Sequence, residues 1–172
     1  DTSLVGDTAK DARVARISIK GAGGDGEVRW VAFTPDATRA YVTLRNRSAV
    51  AVIDANALHE LDTLTPFDRF ANPSAPRYIQ LPAGSRPFAI AVDPKGKKAY
   101  VTDEFSNAVY VIDVDPMSSN YNKPLLEILH VASAPMGLRG VAVSPDGKWV
   151  YVAAPGTVSF RAPRAADTNG TI

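Results

Sequence analysis

Apolar and polar positions along this chain recur as pairs of short strands joined by a proline turn. Three copies share the pattern: VAFTPDATRAYVT at 31–43, IAVDPKGKKAYVT at 90–102 and VAVSPDGKWVYVA at 141–153. The proline presets φ at the first central turn position, and Gly96 or Gly147 can adopt the left-handed conformation that closes the turn. Ala37 stands where those glycines stand, so the first turn is predicted to be wider or strained.

A third and a fourth strand follow each of the first two hairpins. RSAVAVID at 47–54 and SNAVYVID at 106–113 predict the third strands, and RYIQL at 77–81 and LLEILHV at 125–131 the fourth. Apolar residues on consecutive positions are typical of sheets covered on both faces, so Tyr100 and Tyr151 should lie between neighbouring sheets. Four antiparallel strands that recur along a chain predict an all-β fold, a segment of a β-propeller.

The repeat spacing divides the chain into one partial propeller of about two complete blades with partial blades at both ends. The predicted units are residues 1–28 (the outer strand of a preceding blade, at Val14–Ile19, and a connecting loop), 29–81 (blade 1, with an insertion at 55–75), 82–131 (blade 2) and 132–172 (partial blade 3, with an insertion at 154–168). Leu58, Leu61 and Leu64 have helical spacing and predict a short helix, followed by a surface loop over 65–75. Asn169–Ile172 is predicted to begin a third strand.

Closed propellers need at least about four blades. The chain is therefore expected to be either a fragment of a longer propeller or a segment that closes with a second copy. Its partners would be the remaining blades of a longer chain or that second copy. Because exposed strand edges seek partners, the isolated chain should self-associate, bind a complementary segment or aggregate rather than remain a compact monomer.

The amino-acid sequence of the repeats resembles the YVTN family of β-propeller repeats. That family has relatives among surface-layer-type proteins and lactonase-like propellers. The resemblance rests on the apolar triplet, the Ser/Asp-Pro-Asp-Gly-Lys turn, Tyr-Val-Thr, the Ser-Asn turn and Val-Ile-Asp, and it covers about Val14 to Ala153. It implies the fold and says little about activity, since such propellers include enzymes, electron-transfer proteins and binding scaffolds. It also implies an exported protein, periplasmic or at the cell surface.

The composition argues against nucleic-acid binding, a membrane span and cysteine chemistry. Lys and Arg number 19 against 18 Asp and Glu, so no strong field would draw the chain to nucleic acid. No apolar run is long enough for a membrane span. The absence of cysteine removes disulfides, thiolate nucleophiles and haem attachment through cysteine.

Arginines at matching repeat positions predict an anion site at the mouth of the propeller channel. Arg29 and Arg139 both lie two residues before an apolar triplet, Phe88 occupies that position in the middle copy, and Arg86 lies two residues earlier. Arg45 follows the second strand of blade 1. Guanidinium groups from successive blades could converge on one small anion. The alternative is that each arginine pairs with an acid of the adjoining blade, such as Asp103 or Glu104.

Candidates for other chemistry are few. Asp103 and Glu104 could hold a structural calcium ion together with backbone carbonyls; no other cofactor is expected. Asp54 and Asp113 each end a Val-Ile-Asp strand and are interpreted as acceptors for turn amides. His59 and His130 lie in an insertion and an outer strand, so no catalytic residue is assigned.

The sequence therefore predicts an extracytoplasmic binding scaffold. The alternative is part of a lactonase-like hydrolase or of a cofactor-bearing redox propeller, with its catalytic residues on other blades.

Overall fold

The computed structural model describes residues 17–19, 27–64, 66–72, 77–130, 137–154 and 157–161. The strands are β1 Val28–Phe33, β2 Arg39–Leu44, β3 Ala49–Asp54, β4 His59–Glu60, β5 Ile79–Gln80, β6 Pro87–Val92, β7 Lys98–Asp103, β8 Ala108–Asp113, β9 Lys123–His130, β10 Val141–Val143, β11 Val150–Ala154 and β12 Thr157–Arg161. One short α-helix, α1, spans Pro66–Ala71, and Arg45–Arg47 form a single 3₁₀ turn between β2 and β3. Among these residues no helix has the length and apolar character needed to cross a membrane.

The strands form three antiparallel sheets in chain order. The first sheet is β1-β2-β3 with β4 and β5 on its outer side, the second is β6-β7-β8-β9, and the third is β10-β11-β12. Except for β4 and β5, which both pair with β3, consecutive strands of each sheet are neighbours, as in the blades of a propeller. The predicted all-β fold with four-stranded blades is thus confirmed.

The core lies between the sheets, and it follows from the alternation of side chains along each strand. Tyr41 of blade 1 packs in one cluster with Ala99 and Val101 of blade 2. Tyr100, one position along, points the other way and packs with Val150 and Val152 of blade 3. Because successive residues of one strand serve two different interfaces, the middle strands must be apolar at consecutive positions.

Tyr151 departs from the prediction that Tyr100 and Tyr151 both lie between neighbouring sheets. Its neighbours Val150 and Val152 face blade 2, so Tyr151 points to the opposite side of its sheet, where it is 37% exposed. Tyr41 and Tyr100, at the same repeat position, are 0% and 4% exposed. Blade 1 has an open face too, but it is the face opposite to Tyr41, which points away from blade 2: there Val28, Val31 and Phe33 are each more than half exposed.

The outer strand of blade 1 is split in two. His59–Glu60 pairs with the end of β3, and Ile79–Gln80 pairs with its beginning. The insertion between them is pinned at its base, where Thr63 donates both its N–H and its hydroxyl to the Arg77 carbonyl at 3.0 and 2.8 Å.

Three local predictions were wrong. The leucine spacing at Leu58, Leu61 and Leu64 does not form a helix, because Leu58 closes a turn with positive φ. The helix instead is α1, inside the segment predicted as loop. In blade 3, Thr157–Arg161 pairs with β11 as the third strand, although it lies in the segment 154–168 predicted as an insertion.

The predicted strand at Asn169–Ile172 lies outside the described residues, and so do residues 14–16 of the predicted strand Val14–Ile19. Ile17 and Ile19 pack on the open face of blade 1.

The three proline turns are closely alike. The N–H of Ala37, Gly96 or Gly147 donates to the carbonyl three residues earlier at 2.8, 3.0 and 2.8 Å, with φ of 55°, 65° and 72°. Ala37 therefore makes the same turn as the glycines in a conformation that penalises its Cβ. Of the two predicted outcomes, strain is the one observed.

Candidate functional site

The candidate site lies where the first strands of the three blades begin. These strands, β1, β6 and β10, lie side by side, as innermost strands do around a propeller channel. The pairing register of β1 with β2 shifts between Val28 and Val31, and that of β6 with β7 shifts between Pro87 and Ile90. Each shift is a bulge, a device that redirects side chains. The bulges contain Arg29 and Phe88, so both candidate residues are turned out of the regular ladder.

An unbroken chain of ion pairs crosses the three blades at this end. Arg29 and Arg45 both bind the carboxylate of Glu27, the latter at 3.0 Å. Arg45 also binds one oxygen of Glu104, and Arg139 binds the other. The order is therefore Arg29, Glu27, Arg45, Glu104, Arg139. We call these five residues together with Phe88 the arginine rim.

Phe88 stands between the two outer arginines of the rim. The guanidinium carbon of Arg29 lies 6.0 Å from the centre of its ring, and that of Arg139 lies 4.9 Å away. Both distances suit cation–π attraction. Arg29 comes from blade 1 and Arg139 from blade 3, so the blade 2 aromatic ring joins the cations of both neighbouring blades.

Arg86 occupies a different place from the other predicted arginines. Its guanidinium carbon lies 5.0 Å from the ring centre of Phe105, which is 59% exposed. Its backbone N–H donates to Asp103, and its carbonyl accepts from the N–H of Glu104. Arg86 is therefore beside the rim, and its described side-chain contact is with Phe105.

The rim holds its carboxylates in the charged form. Partial burial raises the pKa of Glu104, but hydrogen bonds from Arg45 and Arg139 outweigh burial and leave that pKa below its ordinary value. The hydrogen bond from Arg45 is the main reason that the pKa of Glu27 is lowered. The same two carboxylates raise the pKa of Arg45. With three cations and two anions, the rim carries one net positive charge.

Exposure divides the rim into a base and an open edge. The side chains of Arg45 and Glu104 are 20% and 17% exposed, whereas those of Arg29 and Arg139 are 38% and 45% exposed. The outer arginines thus keep donors accessible to solvent while the inner pair anchors them.

Two buried threonines lie directly beneath the rim. The hydroxyl oxygen of Thr43 accepts the N–H of Trp30 at 3.0 Å and donates to the carbonyl of Phe88 at 2.8 Å. That of Thr102 accepts the N–H of Ala89 at 3.1 Å and donates to the carbonyl of Arg139 at 2.6 Å. Each threonine therefore links a bulge of its own blade to the rim residue of the next.

The two acids predicted as calcium ligands have other partners. Asp103 is 2% exposed and accepts four hydrogen bonds, from the N–H groups of Arg86 and Phe105 and the hydroxyls of Ser106 and Tyr110. Glu104 binds the two arginines of the rim. Within the described ranges no group of three or more His, Cys, Asp and Glu could hold a metal ion. A calcium site stays a prediction. In this structure the carboxylate of Asp103 accepts hydrogen bonds from neighbouring N–H and hydroxyl groups, and that of Glu104 binds Arg45 and Arg139.

The remaining candidates lie away from the rim. Asp54 accepts the N–H groups of Asn56 and Ala57, and Asp113 accepts that of Asp115, which confirms the interpretation of both as turn acceptors. His59 lies in β4 and His130 in β9, on the outer edges of their sheets.

Sequence reasoning missed Glu27 and both threonines. Glu27 lies outside the matched repeats, and it adopts positive φ of 44°. Thr43 and Thr102 end the shared Tyr-Val-Thr triplet, and that recurrence was a usable signal.

Comparison with known proteins gives a family and a fold. Residues 68–162 match the family described as Lactonase, 7-bladed beta-propeller. Among solved structures, hydrazine synthase from Kuenenia stuttgartiensis is similar at 25% identity with a TM-score of 0.59, over 78% of this chain and 34% of that one. A candidate 6-phosphogluconolactonase from Bacteroides uniformis is similar in fold at 17% identity with a TM-score of 0.53, over 78% of this chain and 39% of that one. No curated protein matches the chain significantly.

The chain spans well under half the length of both structures.

Proposed function

This chain belongs to the family of seven-bladed lactonase β-propellers, and on that premise we propose that its arginine rim binds a small organic anion at the mouth of the propeller channel. The remaining blades would come from a longer chain or from a second copy.

The observation that carries the proposal is the chain of ion pairs from Arg29 to Arg139. Arginines of adjacent blades meet there around two carboxylates, with two guanidinium groups left partly open. A guanidinium presents a planar fork of donors that matches carboxylate and phosphate oxygens. A ligand with two anionic groups could contact Arg29 and Arg139 at once, on either side of Phe88.

Such a site suits the chemistry of a lactonase-like propeller. In lactone hydrolysis, water adds to the ester carbonyl, the ring C–O bond breaks, and a hydroxy acid forms with a carboxylate. Guanidinium groups can hold an anionic substituent of the substrate and the product carboxylate. Glu27 and Glu104 are poor general bases because their pKa values are lowered. We therefore assign this segment to substrate binding, and proton transfer to other parts of the propeller.

Titration calorimetry with 6-phosphogluconate, which carries a phosphate and a carboxylate, tests the anion site. Binding should weaken as salt rises from about 20 to about 200 mM, because the attraction is partly screened. Arg29→Ala and Arg139→Ala should each weaken binding about tenfold, roughly the effect of one charge-assisted hydrogen bond. Arg77→Ala is the matched control, since Arg77 pairs with Asp62 on the outer insertion. Equal affinity in all four proteins, or no binding by the wild type, would contradict the proposal.

A second candidate is a YVTN-type binding scaffold, exported to the periplasm or cell surface, with no catalysis. The observation that favours it is that both rim carboxylates are tied to arginines, while His59 lies on an outer sheet edge. Proton release from glucono-δ-lactone separates the two functions in the full-length protein. Hydrolysis that falls with Arg139→Ala supports the lactonase, whereas anion binding without turnover supports the scaffold.

A further inference from the structure

The bulges at Arg29 and Phe88 leave backbone N–H groups without their usual partners in the strand ladder. A bulge takes a backbone N–H out of the strand ladder, and a buried N–H without a partner is costly. The affected groups are the N–H of Trp30 and that of Ala89, each directly after a rim residue. Thr43 and Thr102 accept them, and both threonines are 0% exposed.

The same hydroxyls also reach across to the next blade. Thr43 donates to the carbonyl of Phe88, and Thr102 donates to the carbonyl of Arg139. Two hydroxyls thus tie the backbones of the three equivalent rim positions into one series, from Arg29 through Phe88 to Arg139.

From this geometry we infer that Thr43 and Thr102 are positioning residues, which set the spacing of Arg29, Phe88 and Arg139 across the blades. The inference deepens the proposed function and rests on it. A ligand that bridges two guanidinium groups needs them at a fixed separation, and displacements of about 1 Å are enough to weaken such sites. The threonines contact no ligand themselves and act through the backbone.

The test replaces each threonine by valine, which keeps the shape and removes the hydroxyl, and by serine, which keeps the hydroxyl. Thr34→Val is the matched control, because Thr34 is also buried and its hydroxyl also bonds backbone, but at the opposite end of the hairpin. The readouts are the affinity for 6-phosphogluconate by calorimetry and the melting temperature.

Thr43→Val and Thr102→Val should each weaken binding about five- to tenfold, while the serine variants stay within about twofold of wild type. Thr34→Val should lower the melting temperature and leave affinity unchanged. Valine variants that lose melting temperature and still bind as tightly as wild type would overturn the inference and leave the anion site standing. A wild type that does not bind would overturn the proposed function.

The test still decides if one or both valine variants fail to fold. The two threonines act at different blade interfaces, so either valine variant can carry it alone. If neither folds, the serine variants decide: because serine keeps both hydrogen bonds, a loss of about tenfold in either one would overturn the inference.

Discussion

The two ends of the hairpins behave differently. At the turn end the three repeats carry nearly the same residues and make the same hydrogen bond, with closely similar φ. At the rim end the repeats diverge, so that Arg45 of blade 1 corresponds to Glu104 of blade 2, and Phe88 stands between two arginines. The shared residues build the blade. The differing ones make each blade complementary in charge to its neighbour.

The largest expected effect comes from a shared position. Tyr100→Ala should destabilise the chain by about 3–5 kcal/mol, because it leaves a cavity between blades 2 and 3. Tyr151→Ala is the control at the same repeat position, and its cost should be below about 1 kcal/mol because Tyr151 is partly exposed. Urea unfolding of both variants measures the difference, and similar losses would show that the assigned strand facing is wrong.

A rim-end position should come next. Asp103 stands where blade 1 has the buried Leu44, and Asp103→Ala should cost about 3 kcal/mol because it leaves several buried donors without an acceptor. Asp113→Ala, at a half-buried turn, should cost less. If Asp103→Ala is neutral in the same urea measurement, the rim end does not depend on its own polar network.

At the turn end of the hairpins, the expected change in stability is smaller. Ala37→Gly should stabilise the chain by about 0.5–1 kcal/mol, because relief of the left-handed strain exceeds the added entropy of the unfolded chain. Gly147→Ala should destabilise by a similar amount, since φ is 72° and a Cβ there would lie an ordinary 3.7 Å from Pro94 Cδ. Thermal melts that move both variants in the same direction would show that the two turns are not equivalent.

The smallest effect concerns pH and the rim. The folded-state pKa of Glu104 lies below its ordinary value of 4.5. Its ion pairs therefore contribute full stability above about pH 4.5, and that contribution is lost as the pH falls through the folded-state pKa. Glu104→Gln should show a shallower loss of melting temperature between about pH 6 and pH 3. Parallel curves for wild type and variant would mean that Glu104 gains nothing from its arginines.

The sequence predicted the fold well and the site in part, for a physical reason. The blades rest on periodic burial and on proline turns, which leave a local signature at residues such as Tyr100 and Gly147. The rim depends on which side chains meet across blades, and no local pattern shows that Arg45 binds Glu104 or that Glu27 joins from outside the repeats. The alternative that each arginine pairs with an acid of the adjoining blade anticipated Glu104. The strand at Thr157–Arg161 was missed because prolines and arginines border it.

The pinned base of the blade 1 insertion has a consequence for engineering. Because the hydrogen bonds from Thr63 to the Arg77 carbonyl hold the two ends of the segment together, we expect the segment between them to tolerate changes in sequence and length. Loop-closure entropy grows slowly, so doubling the length of such a segment costs only about 0.6 kcal/mol. We therefore expect a fluorophore, an affinity tag or a small domain to be tolerated on the outer edge of blade 1.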